Sequence, residues 1–259
     1  MTRLRVINLA SGSKGNATIV EADGVSILID CGLTYSELSR RAEQCDIRLA
    51  SLDAILITHD HSDHIGGLPV LARRVDCPIF APAGVLDAWD EEGYEPFPPG
   101  HRLDLRVHHD LDVLPIAIPH DSEPTVAFVI YWLGKKFVYM TDLGHITDRL
   151  LAQIDPPGDK PIDLLFLEAN HDARMLADGS YPLFLKERIR SRRGHLSNDQ
   201  SLDALARMNH LPKAVIFGHL SEENNRPRLV TAAFEASDVA GKTRVLIASQ
   251  HAATVVGRV

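Results

Sequence analysis

The sequence predicts an α/β chain in which two β-sheets pack face to face and helices cover them from outside. Short apolar, β-branched runs alternate with helical patterns from end to end, and they fall into two strand-rich halves, each closing on helices. No repeat and no linker-like composition divides the 259 residues, so a single domain over 1–259 is expected, long enough to bury a full core.

Residues 1–10 lack the long apolar segment of a signal peptide and read as a first strand. Segments 17–21 and 25–30 flank Asp23-Gly24, a dipeptide suited to a tight hairpin turn. A helical pattern over 35–45 precedes a buried strand at 54–58, a helix at 67–74 and a short strand at 78–81. Residues 90–109, rich in Pro, Gly and charge, read as loop with short strands, and 90–100 as a lid or an interface. Strands follow at 114–118, 125–132 and 136–141, a helix at 146–154, a strand at 163–169, and helices at 181–191 and 198–208. A strand at 214–217, a helix at 226–240 and strands at 244–248 and 254–259 complete the chain.

Composition is that of a globular protein, 45% hydrophobic and 24% charged. No run of eighteen apolar residues is present, so no membrane-spanning helix is expected. Cys31, Cys45 and Cys77 are odd in number and form no Cys-x-x-Cys pair, which argues against a disulfide framework or thiolate zinc site and for a reducing, cytoplasmic setting. The net charge of −8 by itself argues against non-specific nucleic-acid binding, but carboxylates that bind cations would account for part of it.

Directly after the apolar run Ala54-Ile55-Leu56-Ile57, three histidines and two aspartates crowd into His59-Asp60-His61-Ser62-Asp63-His64. No fold needs so many imidazoles in one loop for packing, and imidazole is the commonest metal ligand. In such a loop His59 and His61 can grip one ion while Asp63 and His64 point toward a second. A two-ion site needs more donors, and three titratable residues immediately follow other apolar runs: His120, Asp142 and His219. Taken singly, each reads as an ordinary loop residue, and Asp142 as a cap for the helix near Ile146. Together with the histidine loop they supply five nitrogen and two carboxylate ligands, a set that fits two first-row ions. Ions about 3.5–4 Å apart would turn a bridging water into a hydroxide nucleophile, and a carboxylate such as Asp142 can span them. Zn²⁺ and Mn²⁺ suit these donors, and Fe²⁺ also fits.

The series His59-x-His61-x-Asp63-His64, His120, Asp142 and His219 resembles the metallo-β-lactamase superfamily of hydrolases. The resemblance implies a four-layer αββα sandwich with the ions at one rim, His59, His61 and His120 on the first ion, Asp63, His64 and His219 on the second, and Asp142 bridging. Within the superfamily the chain is similar to the YycJ/WalJ-like group of cytoplasmic 5′→3′ DNA exonucleases, through Ser11-Gly12-Ser13-Lys14-Gly15-Asn16, Glu168-Ala169-Asn170-His171-Asp172, Gly194-His195-Leu196-Ser197-Asn198 and His219-Leu220-Ser221-Glu222-Glu223-Asn224-Asn225. His145 departs from the aromatic residue expected there and is either an extra ligand or a neighbouring contact.

Residues 186–195 carry five strong cations and lead into Ser197 and Asn198. Arg193, Ser197, Asn198, Ser221 and Asn224 are therefore expected to bind phosphate, although Ser197 or Asn198 would equally cap the next helix. The Gly-rich turn at 11–16 either is only a turn or presents amides and Lys14 to a bound strand; its spacing is not that of a P-loop. His195, then His171, is the expected general acid, with Asp63 both ligand and catalytic carboxylate. The expected substrate is DNA with a free 5′ end. A thioester, lactone or cyclic nucleotide is the small-molecule alternative, and a non-catalytic metal-binding regulator the third.

Overall fold

The protein is described by a computed structural model covering residues 4–86 and 94–256. The strands are β1 (Arg5–Ala10), β2 (Ala17–Ala22), β3 (Val25–Ile29), β4 (Ala54–Leu56), β5 (Ile79–Pro82), β6 (Tyr94–Phe97), β7 (Asp112–Ala117), β8 (Val126–Trp132), β9 (Lys135–Met140), β10 (Leu164–Glu168), β11 (Ala214–Gly218), β12 (Arg244–Ile247) and β13 (Thr254–Val256). They form a seven-stranded sheet, β13-β1-β2-β3-β4-β5-β6, and a six-stranded sheet, β12-β11-β10-β9-β8-β7. The two sheets share one plan: β1–β3 and β7–β9 are antiparallel meanders, continued by the parallel runs β3–β6 and β9–β12.

The helices are α1 (Tyr35–Glu43), α2 (Ser62–Ile65), α3 (Leu68–Ala72), α4 (Asp148–Ile154), α5 (Ala173–Asp178), α6 (Leu183–Arg190), α7 (Asn198–Ala206) and α8 (Pro227–Glu235). Side-chain alternation assigns the layers. Phe128, Ile130 and Tyr139 meet Ile27, Ile29 and Leu56 between the sheets. Their neighbours Val129, Val138 and Met140 face α4, α7 and α8 through Leu151, Leu205 and Phe234. On the other side Ile19, Leu28 and Ile55 pack on α1 and α3 through Leu38 and Leu71. Both faces of the central strands are thus covered, which is why those strands read as continuous apolar runs. The layers are α/β/β/α.

Local differences from the expected elements have local causes. Thr147, whose hydroxyl accepts the Leu150 N–H, starts α4 at Asp148 rather than 146. Asp172 caps the unanticipated α5 by accepting from Arg174 and Met175, and α8 ends at Glu235, short of 240. Asp23 and Gly24 both adopt positive φ, as the hairpin turn requires. Part of the expected lid or interface at 90–100 and the end of the 254–259 strand lie outside the described residues, within which β6 pairs parallel to β5. No helix among the described residues is long and apolar enough to cross a membrane.

Candidate metal centre

The rim at the C-terminal ends of β3, β4, β9, β10 and β11 collects the polar side chains, as parallel sheets do at their strand mouths. The histidine loop leaves β4 and is clamped on the β3–α1 turn, where Cys31 N donates to His64 O at 2.7 Å and Gly67 N to Cys31 O at 2.8 Å, and on the β1–β2 turn, where Asn16 N donates to Asp63 O at 2.8 Å. A Cβ on Gly32 would lie 1.7 Å from Asp63 O, so only glycine permits this approach. Asn16 is wholly buried, with Nδ2 3.0 Å from His64 Nε2 and 3.2 Å from Asp63 O. Bracing the loop is therefore what the Gly-rich turn at 11–16 does; Lys14 points away, to Glu222 at 2.6 Å.

Four overlapping groups bring potential ligand atoms within 4.8 Å of one another: His59, His61 and His120; Asp63, His64 and His219; His59, His64 and Asp142; and Asp142, Glu168, His195 and His219. Asp142 touches both sides, with Oδ2 3.1 Å from His64 Nε2 and Oδ1 3.5 Å and 3.8 Å from Nε2 of His219 and His120. His59 Nε2 is buried and has no hydrogen-bond partner among the described residues. An orphaned ring nitrogen among imidazoles and carboxylates is satisfied by a cation, so this donor set fits divalent metal.

Two fully buried carboxylates stand behind the rings. Asp30 Oδ2 is 2.8 Å from His64 Nδ1 while its Oδ1 accepts the Thr58 N–H at 2.9 Å. Glu168 Oε1 is 2.7 Å from His195 Nδ1 and 3.0 Å from His219 Nδ1; its Oε2 accepts from the amides of Leu143 and Leu196. Such carboxylates fix the tautomer and leave Nε2 as the donor to an ion. Asp30, Asp142 and His219 all have left-handed φ of 60°, 57° and 54°, local strain of a kind that concentrates at functional sites.

The electrostatics follow from burial against charge. Burial and the neighbouring His64 hold His59 neutral, well below the usual histidine range. Burial also lowers His64, but Asp142 and Asp30 overcome it and push the ring up to about 10. His219 is raised in the same way, mainly by Asp142. Burial opposes ionisation of Asp142 and Glu168, yet His219 and His64 hold the first well below its ordinary value, and His195 brings the second to about 2. A cation binding here competes for the lone pairs these protons occupy, so binding releases protons.

Beside the rings lies a pocket of about 160 Å³ lined by residues including Asp121, Tyr181, Arg188, His195 and Ser221. Arg188 Nε is 2.5 Å from Asp121 Oδ2, and Asp121 Oδ1 is 3.2 Å from His120 Nε2. His195 keeps 20% side-chain exposure and is raised, against burial, by Glu168.

The sequence matches the β-lactamase superfamily domain over residues 26–220. The chain belongs to this superfamily. Within it, the chain is 34% identical to exodeoxyribonuclease WalJ of Streptococcus pneumoniae over 229 residues, 84% of this chain and 81% of the relative. It is 32% identical to exodeoxyribonuclease YycJ of Bacillus anthracis over 227 residues, 85% and 84% of the two chains. These matches support membership of the YycJ-like group. The metallo-β-lactamase-fold protein YhfI of Bacillus subtilis superposes with a TM-score of 0.73 at 16% identity, covering 98% of this chain and 99% of that one. The αββα architecture is thus the superfamily's, and the chain is a metallo-hydrolase of that fold.

On this superfamily scaffold the anticipated residues separate. His59, His61, Asp63, His64, His120, Asp142 and His219 lie together, with His195 against them. His171 is buried and belongs to none of the four groups; its Nδ1 has no hydrogen-bond partner among the described residues, and burial lowers it to about 4. His145 turns to Arg192, 2.9 Å from its carbonyl, so it is a neighbouring contact rather than a member of these groups. The residues expected to contact phosphate lie in different surroundings. Ser197 is spent as the N-cap of α7, accepting from Gln200 N, and Asn198 exchanges hydrogen bonds with Asn225. Asn224 is buried, with its side-chain Oδ1 2.8 Å from where a Cβ on Gly179 would lie. Ser221 lines the pocket, and Arg193 reaches His120 O at 2.9 Å. Asp30, Glu168, Asp121 and Arg188 were not anticipated as site residues. Asp30 and Glu168 each end an apolar run, the signal that singled out Asp142; Asp121 directly follows His120.

Proposed function

We propose that this superfamily member is a two-metal phosphodiesterase that degrades DNA as a cytoplasmic 5′→3′ exonuclease. The observation that carries the reading is the placing of two overlapping donor sets, linked by Asp142, beside a pocket holding Arg188 and His195. Two relatives named exodeoxyribonucleases, aligned over more than four-fifths of the chain, support DNA as the substrate.

His59, His61 and His120 would hold one ion and Asp63, His64 and His219 the other, with Asp142 shared; Zn²⁺, Mn²⁺ and Fe²⁺ all suit the donors. Bound there, the ions supply an acidified water as nucleophile and neutralise charge on the phosphoryl oxygens. The chain's own residues do the rest. Asp63 and Asp142 are held ionised, so they would serve as anionic ligands and as acceptors for a proton of the attacking water. Arg188 offers its guanidinium to a non-bridging phosphate oxygen while Asp121 fixes its direction. His195 gives its Nε2 proton to the leaving oxygen, and Glu168, 2.7 Å from Nδ1, stabilises the imidazolium before transfer. His171, lowered to about 4, is a neutral imidazole at neutral pH rather than an imidazolium, which favours His195 as the acid.

The test is incubation of purified protein with single strands labelled at either end, in Mn²⁺ and in Zn²⁺, with metal content measured on the same preparation. Mononucleotides leaving from the 5′ end support the reading. No nucleotide release alongside rapid cleavage of a thioester, lactone or cyclic nucleotide would move the assignment to a small-molecule hydrolase.

A further inference from the structure

α6 presents a surface at odds with the rest of the chain. Leu183 and Phe184, in its first turn, are 68% and 71% exposed, the two most exposed large hydrophobic side chains among the described residues. An exposed apolar pair is ordinary by itself; it matters here because of where it sits. The charge around it is also inverted. Residues 183–193 carry Lys186, Arg188, Arg190, Arg192 and Arg193 against the single acid Glu187, in a chain of net charge −8.

This patch is continuous with the candidate site. Leu185 and Ile189, on the helix face turned inward, line the same pocket as His195, Asp121 and Arg188. Phe184 stands four residues before Arg188, so the two share a face about 6 Å apart along the axis. Tyr181, three residues before Phe184, also lines the pocket. Arg188 is fixed at the site by Asp121, and Lys186 ties the helix to α5 through Ala177 O at 2.8 Å. Arg190 has no ion-pair partner among the described residues and is exposed.

We propose that Phe184, with Leu183 beside it, is a stacking platform for a nucleobase of a single-stranded nucleic acid whose phosphate lies at Arg188. The proposal rests on the phosphodiesterase reading and adds to it the site that holds the strand. An exposed ring one helical turn from a phosphate-binding guanidinium, set in a cationic segment, combines the two elements by which single strands are held, a π-face and a positive track. The acidic surroundings then confine the strand to this segment. A flexible, unpaired strand can turn a base onto Phe184, whereas a base in duplex has both faces stacked.

The test compares wild type with Phe184→Ala and Phe184→Trp. Fluorescence of 2-aminopurine in a single-stranded oligonucleotide is followed in chelator, so that no cleavage occurs, and turnover is measured with metal on three substrates: the oligonucleotide, the same strand with abasic sites at the terminal nucleotides, and methyl p-nitrophenyl phosphate. Base-stacking contacts of this kind contribute about 1–3 kcal/mol, so F184A should bind the oligonucleotide ~5-fold to ~150-fold more weakly and raise its KM correspondingly. It should leave the abasic strand and the small diester unchanged, and F184W should behave as wild type. Equal losses on all three substrates, or none on any, would overturn the inference while the phosphodiesterase reading stood. A wild type that cleaves no phosphodiester overturns both. If sedimentation shows a dimer that F184A dissolves, with oligonucleotide binding unchanged, the patch belongs to a second copy of the chain and the inference fails.

Discussion

Glu168→Gln is the most informative single perturbation of the rim. The carboxylate accepts four hydrogen bonds, from Nδ1 of His195 and His219 through Oε1 and from the amides of Leu143 and Leu196 through Oε2. A glutamine of the same shape can accept on only one side. Turning its NH₂ toward the two amides sets donor against donor and leaves both buried N–H groups unpaired, at ~1–3 kcal/mol each. Turning it toward the rings is cheaper, because imidazole can change tautomer, and this orientation should prevail. Nδ1 of both rings then accepts, and their protons move to Nε2. At His219 that nitrogen lies 3.4 Å from Asp63 Oδ2 and 3.5 Å from Asp142 Oδ1, where an ion would need its lone pair. Metal affinity should therefore fall by ~10- to ~100-fold, the usual range for groups that orient a ligand. Turnover at saturating metal should fall further, by ~10²-fold or more, because His195 loses the charge that keeps it protonated. Chelator competition with elemental analysis reads the first effect and steady-state hydrolysis the second. Wild-type metal affinity together with wild-type kcat in E168Q would refute the tautomer argument.

Other outcomes follow from the same geometry. Gly32→Ala drives a methyl against the Asp63 carbonyl, so the histidine loop must shift; stability should drop by ~1–3 kcal/mol and metal content should fall, and an unaltered metal stoichiometry would count against the clamp. Asp159, close to the wholly buried Lys136, has a pKa of about 2 against an ordinary 3.8, because Lys136 and Tyr131 outweigh burial. Its stabilisation, about 2 kcal/mol, is present above pH 3.8 and lost as pH falls through about 2, so urea midpoints at pH 7 and pH 2 should converge in D159N relative to wild type. Chelation should lower Tm and added Mn²⁺ or Zn²⁺ restore it, by about 2.7 kcal/mol at a hundredfold excess over Kd; Asp142→Ala should remove most of that response in a calorimeter.

The layered fold was legible because β-branched runs and helical periods report burial directly. The polar rim was legible for the same reason: a histidine or aspartate that ends a fully apolar run has to sit at a strand mouth. That rule reaches Asp142 and His219, and applied without a preference for histidine it also reaches Asp30 and Glu168, which end the runs of β3 and β10. What stayed hidden depends on distance in sequence. Nothing in the residues near Arg188 announces Asp121, 67 positions away, and the pairing of Asn198 with Asn225, 27 positions apart, is hidden in the same way. Ser197 shows the converse, since a Ser followed three residues later by Gln200 is a capping signature legible in the sequence, and the cap is formed. Boundaries moved wherever a single cap decided them, as Thr147 did for α4.

The rim draws its side chains from both halves: Asp30 and the histidine loop hang from the seven-stranded sheet, whereas His120, Asp142, Glu168 and His219 hang from the six-stranded one. At the opposite end Trp132 belongs to the apolar layer between the sheets and Val25 packs against that layer. The sandwich is therefore hinged by oil and latched by charge. Emptying the latch should let amides near Thr141 and Gly218 exchange with solvent sooner, while those around Trp132 keep their protection. Ion occupancy would then grade rigidity along the strands, from one edge of the molecule to the other.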